Sequence, residues 1–209
     1  MGNRAVITTK SNYENNGVGI YLHWNGGRTS VEGFLKYCKL HGYRSPKEDG
    51  AYAWAMLTNI ITNFFGDGMS CGIDTISNLD CDNGDNGVYF IDGWDIVGRK
   101  FNYGEQHDVY TVDEFVKSLD ENMPVGMQLG SKWLEAEIVP TSTIKICDKV
   151  FLPFFDGDKE GVVIGFGNGI VNGSDMTGVP YTNICPMNGH PEKNINNYLR
   201  DETVRKIKE

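Results

Sequence analysis

The run "AYAWAMLTNIITNFFG", Ala51 to Gly66, constrains the fold of this chain more than any other stretch. Ala53, Leu57, Ile60, Ile61 and Phe64 recur at helical spacing, and further apolar side chains lie on the other side of the same helix. Such a helix is stable in water only when neighbouring elements cover it. Its 16 residues fall short of the about 18 apolar residues that a membrane-spanning helix needs. The run therefore predicts a mostly buried helix, ended by Gly66, at the centre of a globular core.

The flanking sequence supplies the cover. "RAVITTK" and "VGIYLHW", separated by the polar "SNYENNG", predict an opening β-hairpin. After Gly26 and Gly27, Thr29 and Glu32 have the spacing of a capping box, and Val31, Phe34, Leu35 and Cys38 form an apolar stripe, which predicts a helix from about Ser30 to Gly42. Thr111 and Glu114 repeat the box ahead of the stripe Val112, Phe115, Val116 and Leu119. "MSCGI", "GVYFI" and "WDIVGRKF" between the helices are strand-like. From Glu135 onward the chain becomes β in character, with "EAEIVP", "STIKICDKVFLPFF", "GVVIGFG" and "GIVNG" divided by Pro and Gly, before Ile195, Tyr198 and Leu199 suggest a short closing helix. The expected fold is α+β: a helix-rich N-terminal part packed on a mixed sheet and a β-rich C-terminal part. The soft division near Ser131 gives 1–130 and 131–209, which also fit a single domain.

Charge narrows the function classes. The 209 residues carry a formal −9 and a pI near 4.9, so a surface that grips a phosphate backbone through clustered Lys and Arg is disfavoured. The complementary expectation is a basic protein or nucleoprotein partner. The opening "MGNRAVITTK" lacks the apolar core of a secretory leader, and Val6 stands where a myristoylation pattern wants Ser or Thr, which predicts a cytoplasmic protein that does not enter a membrane. The odd set Cys38, Cys71, Cys81, Cys147 and Cys185, with no C-x-x-C pair, fits reduced intracellular thiols.

Three stretches carry possible chemistry. In "YLHWNGGRTSVEGFL", His23, Trp24, Asn25 and Arg28 crowd the Gly26–Gly27 pair ahead of a helix start. That geometry offers backbone N–H groups and a positive helix end to an anion. Residues 25–30 partly resemble the S-G-G-x-D-S loop of PP-loop ATP pyrophosphatases, keeping both glycines and Ser30, but with Asn25 for the first serine and Thr29 for the aspartate. The alternative is a plain connection in which Thr29 caps the helix. In "LDCDNGDNGVYFIDGWD", Asp80, Asp82 and Asp85 with Asn83 and Asn86 offer the oxygen ligands of Mg²⁺ or Ca²⁺, but the twelfth position of an EF-hand loop counted from Asp80 is Ile91. The competing reading is an Asn-Gly hairpin turn. Asp156, Asp158 and Glu160 pose the same choice between cation and turn. "GFGNGIVNG" reads as a hairpin through Asn168–Gly169 rather than a dinucleotide loop, and Cys185 with His190 makes half of a zinc site without a second half.

Taken together, "GNRAVIT", "GIYLHWNGG" before a helix, "NFFG" and "LDCDNGDNGVY" resemble a family of small, mostly uncharacterised proteins of phages, plasmids and other mobile elements of Gram-positive bacteria. The resemblance covers the first half of the chain and carries over no catalytic residues. It implies an accessory role in the conflict between mobile element and host, in which inhibitors of CRISPR effectors and other defence nucleases are common. Two functions stand side by side. One is an acidic inhibitor of a host defence nucleoprotein. The other is a metal-dependent enzyme of nucleotides or phosphodiesters, with His23 as acid or base, Arg28 neutralising charge, Trp24 to Arg28 holding the ligand, and Asp80, Asp82 and Asp85 holding the metal. A structural or regulatory phage protein is the third possibility.

Overall fold

The apolar run folds as a helix, Gly50–Phe65, with Asp49 accepting from the Tyr52 amide at its start and Gly66 at its end. The computed structural model describes residues 2–66, 70–101, 104–145, 148–152, 159–166, 170–171, 174–175, 177, 179–183, 196–198 and 203–207. They belong to two compact units, Met1–Leu129 and Gly130–Glu209.

In chain order the first unit contains β1 (Ala5–Thr8), α1 (Lys10–Glu14), β2 (Val18–Leu22), α2 (Arg28–Leu40), α3 (Gly50–Phe65), β3 (Cys71–Thr75), β4 (Val88–Asp92), β5 (Asp95–Lys100) and α4 (Val112–Asn122). The strands form one sheet in the order β3-β2-β1-β4-β5. Every neighbouring pair is antiparallel except β1 with β4. The fold of this unit is α+β, with a mixed sheet.

Strand alternation divides the sheet into two faces. Ala5, Ile7, Ile20, Leu22 and Tyr89, all at 0% exposure, share one. Val6 and Val88 share the other, where Ile76, Leu79 and Tyr13 cover them. Against α2 lie α3 and α4, and Phe34 of α2 meets Phe64 and Phe115 edge to face, with ring centroids 5.6 and 5.1 Å apart. Three aromatic rings so joined add about 0.5–1.5 kcal/mol per pair beyond area burial.

Several expectations change. The opening hairpin forms, but "SNYENNG" is not all loop: Thr9 caps the short α1 by accepting from the Asn12 amide. The central helix is buried along one face, through Ala53, Trp54, Leu57, Ile60 and Ile61, rather than on most sides. Its outer side carries small residues and Tyr52, whose ring lies 5.4 Å under the Arg44 guanidinium. The Asn83–Gly84 turn does not close a hairpin, because β4 runs parallel to β1 and so must enter the sheet from a crossover. The hairpin is at Asp92–Gly93 instead, joining β4 to β5.

The second unit holds α5 (Ser131–Glu135), β6 (Glu137–Pro140), β7 (Lys149–Leu152), β8 (Lys159–Phe166), β9 (Ile170–Val171), β10 (Ser174–Asp175), β11 (Pro180–Asn183), β12 (Asn196–Tyr198) and β13 (Thr203–Lys206). Six strands form an antiparallel sheet, β12-β11-β8-β7-β13-β6. The expected closing helix is replaced by β12, paired with β11 at the sheet edge, and β13, paired with β6 and β7, since strand pairing outweighs a short helical stripe. The Asn168–Gly169 turn, Asp156, Asp158, Cys147, Cys185 and His190 lie outside the described residues, and Glu160 is described only as part of β8. No helix among the described residues is long and apolar enough to cross a membrane.

Candidate functional site

One end of the first sheet gathers the entry to β1, the exit from β2, the entry to β4 and the segment 104–110 after β5. The turn of the first candidate stretch and the acidic loop of the second converge there. The bond that ties them is central: Gly26 donates its N–H to the Asn3 carbonyl at 2.8 Å, and Asn86 donates its N–H to the Arg4 carbonyl at 3.0 Å. The buried Asn86 side chain extends the tie, donating to Asn3 Oδ1 at 2.8 Å and accepting from the Gln106 amide at 2.9 Å.

The glycine pair serves the chain's own close approach. Asn25 turns it with φ +54°, and a Cβ on Gly26 would come within 2.7 Å of the Ala5 amide nitrogen. Gly27 is the N-cap of α2 and has no side chain to close the helix start. Asp108 does so instead. Its Oδ2 accepts from the Ser30 amide at 3.2 Å and from Ser30 Oγ at 3.1 Å. A Cβ on Gly27 would lie 2.8 Å from that same oxygen, so the missing cap side chain makes the room that Asp108 fills. The carboxylate sits where an external anion would have bound.

A chain of hydrogen bonds fixes this arrangement. Ser30 Oγ lies 3.1 Å from Asp108 Oδ2 and 2.8 Å from the Tyr110 hydroxyl. Asn25 Nδ2 in turn donates to Tyr110 at 3.3 Å. Burial, the largest cause, pushes the Tyr110 phenol above its ordinary pKa, and the charge on Asp108 adds to this while Ser30 and Asn25 oppose it. Thr29 makes no cap, and Glu32 turns back to Arg28, 3.2 Å from Nη1.

Arg28 is likewise committed. Its Nε donates to Glu105 Oε1 at 2.9 Å, and its guanidinium lies 5.8 Å from the centre of the Tyr89 ring. Tyr89 donates to the same Glu105 oxygen at 2.8 Å, and Arg99 lies 3.5 Å from the other. Burial alone would raise the Glu105 pKa, but the Tyr89 hydrogen bond and the charges of Arg28 and Arg99 together hold it below the ordinary value. Tyr89 itself is raised, first by burial and then by its bond to Glu105.

The acidic loop resolves in the same way. Arg4 Nε lies 2.6 Å from Asp85 Oδ2, which also accepts from the Arg4 amide at 3.1 Å, and Arg4 Nη1 lies 4.0 Å from Asp80. Against the opposing effect of burial, Arg4 holds Asp85 below the ordinary carboxylate range. Asn83, 2% exposed, closes the loop around itself: Nδ2 donates to the Asp80 and Gly87 carbonyls, and Oδ1 accepts from the Asp85 and Gly87 amides, all within 3.2 Å. Asp82 faces solvent. No group of three His, Cys, Asp or Glu placed to hold a metal ion occurs among the described residues.

His23 and Trp24 are left outward. Both are exposed, with ring centroids 5.0 Å apart in an edge-on arrangement, and the Tyr21 hydroxyl lies 3.5 Å from His23 Nδ1. The sequence alone singles out His23, Trp24, Asn25 and Arg28, and the structure places all four at this sheet end. It does not single out Arg4, Glu105, Asp108 or Tyr110. Arg4 and Asp108 act on partners 81 and 78 positions away, and no local pattern marks them.

Comparison with known proteins adds no identity: no family model, no curated protein and no solved structure matches the chain.

Proposed function

We propose that this is a binding protein rather than a catalyst: an acidic accessory factor of a mobile element that docks on a basic surface of a host defence nucleoprotein, such as a CRISPR effector, and blocks it. One observation carries the reading. At the sheet end, three of the groups able to handle phosphate or metal are spent on partners within the chain, Arg28 on Glu105, Asp85 on Arg4, and the α2 start on Asp108. A catalytic site needs such groups poised toward a substrate. Charge supports the same reading, since the first unit holds seventeen carboxylates against ten Lys and Arg, a formal −7 of the chain's −9. An acidic surface of this kind is steered toward a basic channel and kept away from free nucleic acid.

The experiment is co-elution with, and inhibition of, purified defence nucleases from Gram-positive hosts. The expected result is inhibition at stoichiometric protein. The enzyme reading predicts instead cleavage of RNA or DNA that requires Mg²⁺ or Ca²⁺ and disappears in Asp82→Ala. Such cleavage, with no inhibition of any effector, overturns the proposal.

A further inference from the structure

Between β5 and α4, residues 104–109 run outside any helix or strand. None of the six is buried, and Val109 is 103% exposed, so no apolar burial holds the segment down. Among the described residues it makes no hydrogen bond from backbone to backbone. Three anchors within four positions hold it instead. Glu105 accepts from Arg28 and Tyr89 and faces Arg99, the Gln106 amide donates to Asn86 Oδ1, and Asp108 accepts from the Ser30 amide. Of the residues so engaged, Ser30, Asn86 and Tyr89 are all at 0% exposure. The two ends do not depend on these anchors. A Cβ added at Gly104 would meet nothing within 4 Å, and Tyr110 stacks on Phe115 of α4, whose start is closed by its own Thr111 and Glu114.

We propose that residues 104–109 are a strap that opens and closes as one unit, hinged at Gly104 and at Tyr110, while the sheet and helices beside it stay folded. This goes beyond the binding-protein reading and does not rest on it. Segments with few buried apolar contacts open at a lower free energy than the whole fold. A strap held by polar anchors alone is of that kind, since each hydrogen bond contributes little net of the water it replaces. The anchors span only four residues, so chain that lifts Glu105 off Arg28 carries Gln106 and Asp108 with it. Opening releases the Arg28 guanidinium and the Tyr89 hydroxyl from Glu105, and the Ser30 amide from Asp108, three polar groups that the closed strap keeps occupied.

Residue-resolved hydrogen exchange of the full chain tests this, because two amides far apart in sequence report closure: Gln106 on Asn86 and Ser30 on Asp108. In wild type both are expected to open with one free energy. It should be smaller than that of the Val6 amide in β1, bonded to Gly87, and of the Phe115 amide in α4, bonded to Thr111. Glu105→Gln removes the charge that faces Arg28 and Arg99 and that bonds to neither reporter. It is expected to speed exchange at Gln106 and Ser30 alike, about tenfold, with Val6 and Phe115 as in wild type. Raised salt acts on wild type in the same direction and more weakly, which gives the answer even where the variant does not fold. Unequal opening at Gln106 and Ser30, or a Glu105→Gln effect on one or neither of them, means independent anchors and overturns the strap. Opening of both only together with Val6 and Phe115 also overturns it, because the segment then has no opening of its own.

Discussion

Two helices of the first unit begin with the same four-residue pattern and are closed in opposite ways. At α4, Thr111 accepts from the Glu114 amide at 3.3 Å and Glu114 accepts from the Thr111 amide at 2.7 Å, so the box is complete within four residues. At α2, Thr29 and Glu32 have the same spacing, yet the helix starts at Arg28 with Gly27 as its cap and takes its closing carboxylate from Asp108. A capping box works only when its Thr occupies the N-cap itself. Asn25 and Gly26 pull the turn against the start of β1, the helix begins two residues before the pattern would place it, and Thr29 falls inside the first turn, where Glu32 is within reach of Arg28 rather than of a cap amide. Tertiary contact decides which residue is the cap, and the local pattern follows or is bypassed.

The comparison is broken most directly at Asp108. Asp108→Ala leaves the Ser30 amide without its acceptor, and Gly27 has no side chain to replace it. We expect a loss of about 2 kcal/mol, the upper range for an N-cap, because the buried Ser30 hydroxyl loses its acceptor as well. Urea unfolding of the full chain measures the loss. Hydrogen exchange locates it, with the Ser30 and Val31 amides losing protection while those of α4 do not. Equal loss of protection in both helices would mean that Asp108 is not the closing group of α2.

The local box has a smaller expected effect. Thr111→Ala removes one side-chain acceptor from an exposed helix start and is expected to cost about 1 kcal/mol. Its dependence on pH has a definite sign. The Thr111 amide, and after it the Thr111 hydroxyl, holds Glu114 below the ordinary carboxylate value. A group whose folded pKa is depressed contributes stability above its unfolded pKa of about 4.3, and that contribution is lost as pH falls through the lower folded value. The difference in urea midpoint between wild type and Glu114→Gln is therefore full at pH 6 and closes as pH falls below about 4. A difference that stays constant down to pH 3 would show that Glu114 is not acting as a carboxylate there.

The two helix starts also mark how far the sequence could be read. α4 was legible because every group that closes it lies within four positions. The core helix, the strands β1, β2, β4 and β5, and the α+β class were legible for a similar reason, since periodicity is a local property. What was not legible depends on residues far apart. The parallel pairing of β1 with β4 turned a strong Asn-Gly hairpin signal into a crossover loop, with Asn83 stapling it from inside. At the sheet end, the crowding of His23, Trp24, Asn25 and Arg28 was visible, but its partners were not. Arg28 meets Glu105 across 77 positions and Arg4 meets Asp85 across 81. An arginine and a carboxylate at such separation carry no mutual spacing rule, so the same residues read equally well as a ligand site and as an internal network.

The smallest expected effect sharpens the comparison furthest. If the pattern at α2 were a working cap, Thr29→Ala would cost what Thr111→Ala costs, since the residues and their spacing are the same. Thr29 makes no cap bond and sits only half-buried. Alanine is also the better helix former within the first turn. The expected change is therefore within about 0.5 kcal/mol and of either sign, with no loss of protection at the Ser30 and Val31 amides. In the double variant Thr29→Ala with Asp108→Ala, the loss should equal the sum of the two single changes, because the two side chains share no acceptor and no donor. A Thr29→Ala cost as large as that of Thr111→Ala would mean that the helix start can shift back to Thr29 and use the box after all. Asp108 would then be a reinforcement rather than the group that closes α2.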